Sequence, residues 1–153
     1  PISRVMSSFV TMSFSLVAIL IVMVVTRVPF TWKLLLLPVA LVFLLLFCMG
    51  VGMVLASFAV YFRDVIHLYS VVVLAWMYVT PIFYPVSALP ANVALMLQFN
   101  PMYHYVTFFR DVVIYGNIPS GVVWLGSIGF GTLVFGVGLL VFKKLQDNFV
   151  LYV

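Results

Sequence analysis

Charged residues divide the chain into four long uncharged tracts. The tracts are 22, 29, 45 and 31 residues long and cover Val5–Thr26, Leu34–Phe62, Val65–Phe109 and Val112–Phe142. A helix that crosses the ~30 Å hydrocarbon core of a bilayer needs about 20 residues. The first, second and fourth tracts therefore each predict one transmembrane helix. Membrane barrels need strands that alternate apolar and polar residues, and these tracts lack that alternation.

The third tract is too long for one crossing, since a single helix of that length would extend roughly 68 Å. Prolines and amides interrupt its second half at Pro81, Pro85, Pro90, Asn92, Gln98, Asn100 and Pro101. Such residues break helices, so we expect one span at about 66–84, followed by two short helices. We expect the short helices to form a re-entrant pair at about 86–115, covered by protein or facing water.

The predicted fold is an all-α membrane protein. It has four transmembrane helices, at about 5–26, 34–60, 66–84 and 119–142, and a re-entrant pair of short helices before the last span. Residues 1–153 form a single transmembrane domain. Because the chain begins at Pro1 rather than at Met and shows no signal peptide, we expect a fragment that lacks its amino-terminal part.

Basic residues orient the predicted helices. With Arg4 in the cytoplasm, the re-entrant arrangement places four cations inside and three outside, whereas two crossings of the third tract would reverse those numbers. Cytoplasmic loops of membrane proteins are enriched in Lys and Arg, which favours the re-entrant arrangement. The inside group is Arg4, Arg63, Lys143 and Lys144, and the outside group is Arg27, Lys33 and Arg110.

Composition excludes an ordinary soluble domain and offers little for catalysis. Apolar residues make up 67% of the chain and charged residues 7%, against about 25% charged in soluble domains. The net charge of +4 comes from isolated basic residues, so we expect no nucleic-acid partner. Cys48 has no second cysteine to pair with, and the three Asp and two His are scattered, which predicts no metal site and no catalytic constellation. The glycines of the last tract lie in an apolar run and favour close helix packing.

Two Arg-Asp pairs could carry function. Arg63-Asp64 lies between two spans and is either a solvated, locally paired anchor or a contact for a cytoplasmic partner. Arg110-Asp111 precedes the last span, where an unpaired charge would be costly if it faced lipid. We expect Arg110 to pair with Asp111, to bond carbonyls freed around Asn100-Pro101, or to line a polar cavity. Asn100 can cap the helix that Pro101 begins.

Aromatic residues cluster on both sides of the proline-rich stretch. They are Trp76, Tyr78, Phe83 and Tyr84 before it, and Phe99, Tyr103, Tyr105, Phe108 and Phe109 after it. Tyrosine and tryptophan form belts at the membrane interface, which is one interpretation. The other is a surface on which sugar rings stack at a channel mouth.

Four motifs resemble those of a known family. The runs Tyr61–Val65, Thr80–Pro90, Asn100–Met102 and Phe109–Asp111 are similar in order and spacing to polysaccharide-export permeases of the type-2 ATP-binding-cassette superfamily. The resemblance implies the carboxy-terminal four of six spans. It implies a homodimer in a bacterial or archaeal inner membrane, driven by a separate ATPase subunit. That partner would bind ATP and Mg²⁺, this chain would hold no cofactor, and the cargo would be lipid-linked O-antigen, teichoic acid or a capsule-like polymer.

The resemblance also assigns roles to residues. Arg63 and Asp64 correspond to a cytoplasmic coupling turn near the ATPase. The outer gate corresponds to Pro81, Tyr84, Pro85, Asn100, Pro101 and Arg110. Candidates for sugar stacking are Phe83, Tyr103, Tyr105, Phe108 and Phe109.

Other functions remain open on the sequence alone. A type-2 exporter of drugs or small lipids is the nearest alternative, although no Asp lies mid-span to meet a cationic drug. A non-transporting membrane scaffold would not need the proline-broken stretch. A membrane-embedded enzyme lacks catalytic side chains.

Overall fold

The described part of the chain is helical throughout. The computed structural model describes residues 2–27 and 30–147, and within them there are six α-helices, two short 3₁₀ helices and no strand. The α-helices are α1 (Ile2–Val25), α2 (Leu37–Tyr61), α3 (Val65–Val79), α4 (Ala91–Leu97), α5 (Pro101–Val113) and α6 (Gly121–Gln146). The 3₁₀ helices are Trp32–Leu36 and Val86–Ala88. The all-α prediction is confirmed.

Three helical segments are long and apolar enough to cross a membrane. They are Ile2–Val25, Trp32–Tyr61 and Gly121–Gln146, which correspond to the predicted spans at 5–26, 34–60 and 119–142. The second combines a 3₁₀ turn with α2, and Pro38 lies in the first turn of α2, where its missing N–H is not needed.

The third tract forms a shorter helix than the sequence predicted. Helix α3 ends at Val79, five residues before the predicted limit of 84, and its 15 residues extend about 22 Å. Thr80 leaves the helical conformation because it precedes Pro81, and a residue before proline is driven toward extended backbone. Helix α3 alone is therefore shorter than the ~30 Å hydrocarbon core of a bilayer, and a fourth crossing would also need the residues that follow it.

Two short helices occupy the region where a re-entrant pair was expected. Helix α4 has 7 residues and α5 has 13. Pro90 precedes the first and Pro101 begins the second, so the prolines mark both starts. The two helices lie at the positions in the chain that were predicted for the pair.

Helices α2 and α6 pack in parallel through glycines. A Cβ added at Gly131 would lie 2.8 Å from the Phe43 carbonyl oxygen, and one added at Gly138 would lie 2.5 Å from the Gly50 carbonyl oxygen. The contacts advance in the same direction along both helices, so the helices run parallel. Small residues allow such close approach of two backbones in a membrane. The packing role expected for the glycines of the last tract holds at these two positions.

Helix α1 runs antiparallel to α2. Val5, near the start of α1, meets Gly52 in the second half of α2, whereas Met23 packs in the same cluster as Leu37 at the start of α2. This cluster, which we call the core, also contains Ala40, Phe108, Val112, Val113 and Val123. Outside it, Phe47, Met53, Leu97 and Tyr105 are also buried. The core therefore lies where the end of α1, the starts of α2 and α6, and α5 meet.

The basic residues separate to opposite ends of this bundle. Arg4, Arg63, Lys143 and Lys144 lie near the start of α1 and the ends of α2 and α6, which we call the four-cation end. Arg27, Lys33 and Arg110 lie at the other end, together with the core and residues 80–101. We call it the proline-rich end.

Candidate functional site at the proline-rich end

Asn100 joins the end of α3 to the start of α5. Its Oδ1 accepts hydrogen bonds from the Met102 backbone N–H at 3.1 Å and from Trp76 Nε1 at 2.8 Å. Its Nδ2 donates to Thr80 Oγ1 at 3.3 Å. Thr80 is only 3% exposed, so its hydroxyl finds its hydrogen-bond partner within the protein, while the other groups are partly buried. The prediction that Asn100 caps the helix begun by Pro101 is confirmed.

Arg110 holds the last turn of α5 against the segment that follows α3. Its guanidinium donates to the Ile82 carbonyl oxygen at 2.7 Å. Three arrangements were expected, namely a pair with Asp111, bonds to carbonyls near Asn100-Pro101, or a place in the wall of a polar cavity. Arg110 lines a cavity, and the carbonyl that it bonds comes from a different segment than expected. The Ile82 carbonyl is free to accept because the chain has left α3 before it reaches Pro81.

Asp111 lies next to Arg110 without an ion pair to any described Lys or Arg. Its carboxyl is half-buried, and this burial raises the pKa of Asp111 above its usual range. Its backbone carbonyl accepts from the Asn117 N–H at 2.8 Å and so helps to close the turn after α5. A partly buried carboxyl thus lies beside the permanently charged Arg110 in sequence.

A cavity of about 460 Å³ opens between the segment after α3 and helix α5. Five of the residues assigned from sequence to the gate or to sugar stacking line it, namely Phe83, Tyr84, Pro85, Tyr103 and Arg110. Six lining residues were not assigned, namely Ile82, Val86, Ser87, Thr107, Asp111 and Tyr115. Aromatic faces, hydroxyls and one residue of each charge therefore surround the same space. Such a wall can stack on the apolar faces of a sugar and bond its hydroxyls.

Tyr84 also ends α3. Its hydroxyl donates toward the carbonyl oxygens of Val79 and Tyr78, at 3.2 and 3.3 Å, which belong to the last turn of α3. These carbonyls have no partner within the helix. The same side chain thus caps one helix and borders the cavity.

Two of the predicted stacking aromatics lie inside the bundle instead. Tyr105 is 6% exposed, and its hydroxyl donates to the Ser127 carbonyl oxygen at 2.8 Å and approaches that of Phe43 at 3.3 Å. Phe108 is 1% exposed and meets Trp124 edge to face, with ring centroids 5.0 Å apart. Phe109 is half-buried against the core. Their positions fix α5 on α2 and α6.

His104 is a further buried polar group that the sequence did not assign. Its Nε2 donates to the Gln98 carbonyl oxygen at 2.7 Å, and its ring stacks on Phe130 at 5.6 Å. Gly126 gives the ring its space, because a Cβ there would collide with the imidazole. Within residues 2–27 and 30–147, no three His, Cys or Asp side chains come together as a metal site.

Lys33 ties the start of α2 to the loop before α6. Its Nζ donates to the Gly116 carbonyl oxygen at 2.8 Å. Gly116 has φ +61°, a left-handed conformation that glycine adopts at little cost. Nothing in the spacing of these two residues, which are far apart in sequence, could have revealed the contact.

The Arg63-Asp64 turn lies at the opposite end of the bundle. It connects α2 to α3, closed by a bond from the Val65 N–H to the Phe62 carbonyl oxygen at 3.2 Å. Both charged side chains are exposed, and among the described residues they form no ion pair with each other. Local pairing of the two charges is not observed, and the exposure of both side chains fits a solvated anchor as well as a contact for a partner.

Comparison with known families places the chain among transport proteins. A family model described as ABC-2 type transporter matches residues 2–114. The chain belongs to the ABC-2 type transporter family. The matched range runs from the start of α1 to Ile114, the residue after α5, and so leaves out the rest of the loop after α5 and α6. Family membership and three helices of spanning length make this a multi-pass membrane protein.

Individual relatives carry a more specific name. The chain is 26% identical over 121 residues to the O-antigen export system permease protein RfbA of Myxococcus xanthus, covering 78% of this chain and 46% of the relative. It is 26% identical over 105 residues to a protein of the same name from Klebsiella pneumoniae, covering 68% of this chain and 40% of the relative. The chain thus spans less than half the length of these two permeases.

Proposed function

We propose that this chain is part of the membrane permease of an ATP-driven exporter that moves lipid-linked polysaccharide across a bacterial inner membrane. Family membership supports a permease subunit, and the names of the relatives support a polysaccharide cargo such as O-antigen, teichoic acid or a capsule-like polymer. ATP and Mg²⁺ would bind a separate nucleotide-binding subunit.

The proposed topology has four crossings. Its main support is that α2 and α6 run parallel side by side, because two parallel neighbours require the chain to return across the membrane between them. Three residues separate the end of α2 from the start of α3, and the far end of α3 meets Asn100 at the proline-rich end. Helix α3 and the extended residues after it would provide the return.

In this topology the short helices stay on one side. Helix α5 begins beside Trp76 at the end of α3, and the loop after it reaches Lys33 at the start of α2. Both ends of α5 thus lie at the proline-rich end, as a re-entrant pair requires. Four cations at one end and three at the other support assigning the proline-rich end to the outer face.

The outer cavity is the proposed exit for the polymer. Phe83 and Tyr103 line it and would stack on sugar rings, while Tyr84, Pro85 and Arg110 shape its wall. Asn100, Pro81 and Pro101 would position this wall by fixing the join between α3 and α5. Tyr105, Phe108 and Phe109 would act through packing, since they lie within or against the bundle.

The remaining partners belong to the same proposal. The exposed Arg63-Asp64 turn would contact the ATPase at the cytoplasmic face. Helix α3 has no buried residue, so its apolar surface is open to a second copy of the chain, and we propose a homodimer with the channel between protomers.

The observation that carries the proposal is the bonded outer wall, in which Asn100 and Arg110 hold α5 to the end of α3. In the source cells, with the gene replaced by each variant, we expect Asn100→Ala and Arg110→Ala to reduce exported polymer several-fold while the inserted protein falls much less. Surface polymer and membrane-bound protein are measured by immunoblot of the same cells.

Leu95→Ala is the control, because Leu95 lies on α4 and is exposed. It should leave export at the wild-type level. Normal export from both wall variants would contradict the gate, and unchanged polymer in a strain lacking the gene would contradict polysaccharide export itself.

A further inference from the structure

His104 lies where three helices meet. Helix α4 has 7 residues, and helices of that length are marginal in isolation, so contacts with its neighbours must hold it in place. Gln98 directly follows α4, where backbone carbonyls have no partner within the helix. The His104 Nε2 atom on α5 donates to the Gln98 carbonyl oxygen at 2.7 Å. The imidazole therefore ties the end of α4 to α5.

This hydrogen bond also fixes which ring nitrogen carries the proton. A carbonyl oxygen can only accept, so the proton in the bond to Gln98 belongs to Nε2 of His104. In a neutral imidazole Nδ1 then carries a lone pair. His104 is 3% exposed, and its Nδ1 has no hydrogen-bond partner among the described residues. The surroundings of the ring therefore suit an imidazole that is protonated on Nε2 alone.

Helix α6 provides the space that the ring occupies. A Cβ added at Gly126 would collide with the imidazole, whereas one added at Gly129 would have no atom within 4 Å. One turn after Gly126, the Phe130 ring stacks on the imidazole with ring centroids 5.6 Å apart. Gly126 and Phe130 share one face of α6 because they are four residues apart. We call this pair of residues the imidazole notch.

The imidazole also contacts a residue of the outer cavity. The Tyr103 ring meets it edge to face, with ring centroids 5.4 Å apart and an angle of 78° between the planes. Tyr103 lines the outer cavity together with Thr107, which lies one turn further along α5. A continuous series of contacts thus leads from α6 through His104 to the cavity wall.

We infer that His104 is a positioning residue of the outer cavity, which sets the place of Tyr103 by bonding the end of α4 and filling the imidazole notch. The bond to Gln98 fixes α4 relative to α5, and the notch fixes both helices relative to α6. The consequence for export rests on the proposed function, in which this cavity is the exit for the polymer.

The reactivity of a thiol in the cavity wall tests this role. Thr107→Cys in a Cys48→Ser background places the thiol, and an impermeant reagent measures its rate of modification in the membrane-inserted full chain. His104→Phe keeps an aromatic ring and loses the donor, so it should raise this rate several-fold by freeing α4 from α5. His104→Gln should return the rate close to that of wild type, because its amide nitrogen can donate from the place of Nε2.

A second set of variants tests the imidazole notch. Gly126→Ala should also change the rate several-fold, because the new methyl group displaces the imidazole. In a His104→Ala background the same Gly126→Ala change should have no further effect, since the ring no longer fills the notch. Gly129→Ala is the matched control on the same helix and should leave the rate unchanged.

Thermal unfolding in detergent and surface polymer are measured on the same variants. If His104→Phe and Gly126→Ala lower the unfolding temperature without changing the rate, His104 only stabilises the bundle and the positioning role is overturned. Altered rates with normal export would support the positioning role and contradict the proposed exit.

NMR of labelled histidine in the wild-type chain decides the matter where a variant fails to fold. With the signals of the exposed His67 assigned through His67→Gln, His104 should show a proton on Nε2 and none on Nδ1. A proton on Nδ1 alone would mean that His104 does not hold the Gln98 carbonyl, which would overturn the role.

Discussion

The proline-rich end of this small bundle and helix α3 are built on different physical principles. At the proline-rich end, side chains such as Phe108 and Val112 are 1% exposed, and hydrogen bonds link segments far apart in sequence. Helix α3, between the ends, buries none of its residues, and Leu68 and Val71 are 64% and 66% exposed. Both regions are mostly apolar, so apolarity alone does not explain the difference.

Polar and small residues explain why the proline-rich end is packed and helix α3 is exposed. In a bilayer, apolar side chains gain little by leaving lipid for protein, so helices associate through close backbone contacts and hydrogen bonds. The proline-rich end has both, with Asn100, Thr80 and Arg110 bonded and glycines of α6 packed on α2. Helix α3 contributes Trp76 and little else, which leaves its surface for lipid, a second copy or both.

The largest effect should come from the glycine contact between α2 and α6. We expect Gly138→Ala to destabilise the protein by about 3 kcal/mol, because the new methyl group would lie 2.5 Å from a backbone carbonyl that cannot move aside. Thermal unfolding in detergent measures the change.

Gly136→Ala is the matched control, two residues away on the same helix and with nothing within 4 Å. Alanine favours helix over glycine, so this variant should be unchanged or slightly more stable. Equal loss in both variants would mean that helix α6 as a whole, and not its contact with α2, is sensitive to substitution.

A smaller loss of stability should distinguish a substitution at the proline-rich end from the same substitution on α3. Val112→Ala should cost about 2 kcal/mol, because it opens a gap beside Phe108 in the core. Val71→Ala removes the same atoms from an exposed position and should cost no more than about 0.5 kcal/mol. If the two variants unfold alike, the contrast between the two regions is wrong.

The smallest effect concerns the bond between Trp76 and Asn100. Trp76→Phe and Asn100→Ala, measured singly and together, should show a coupling of about 1 kcal/mol, the net contribution of one partly buried hydrogen bond. Additive losses would show that the indole and the amide stabilise the protein independently.

Much of this architecture could be predicted from local sequence. The uncharged tracts predicted the three long helices because length and apolarity are local properties. Asn100-Pro101 predicted the cap of α5 for the same reason. The end of α3 at Val79 was missed although Thr80-Pro81 carried a signal, since a residue before proline leaves the helix. Burial of Tyr105, Phe108 and Val112 was also legible, because their spacing of three and four residues places them on one helical face.

Other features depend on contacts between distant segments. Arg110 bonds the Ile82 carbonyl, which becomes available only when the chain turns after α3. Gly50 packs against Val134 and Phe135, yet in the sequence it is one glycine in an apolar run. The local sequence pattern does not tell which residues of two apolar helices face each other. The partners of Arg110 and Gly50 could therefore not be assigned from the sequence.

The central claim is that the chain from α3 to α6 turns back at the proline-rich end without crossing again. Single cysteines at Ser87 and Asn117, both exposed, are placed in a Cys48→Ser background and treated with an impermeant thiol reagent on intact cells. A cysteine at Gln146, at the four-cation end, serves as the control. The account predicts that both outer positions react from outside and that the control reacts only after the membrane is permeabilised. Reaction of only one of the two outer positions from outside would contradict it.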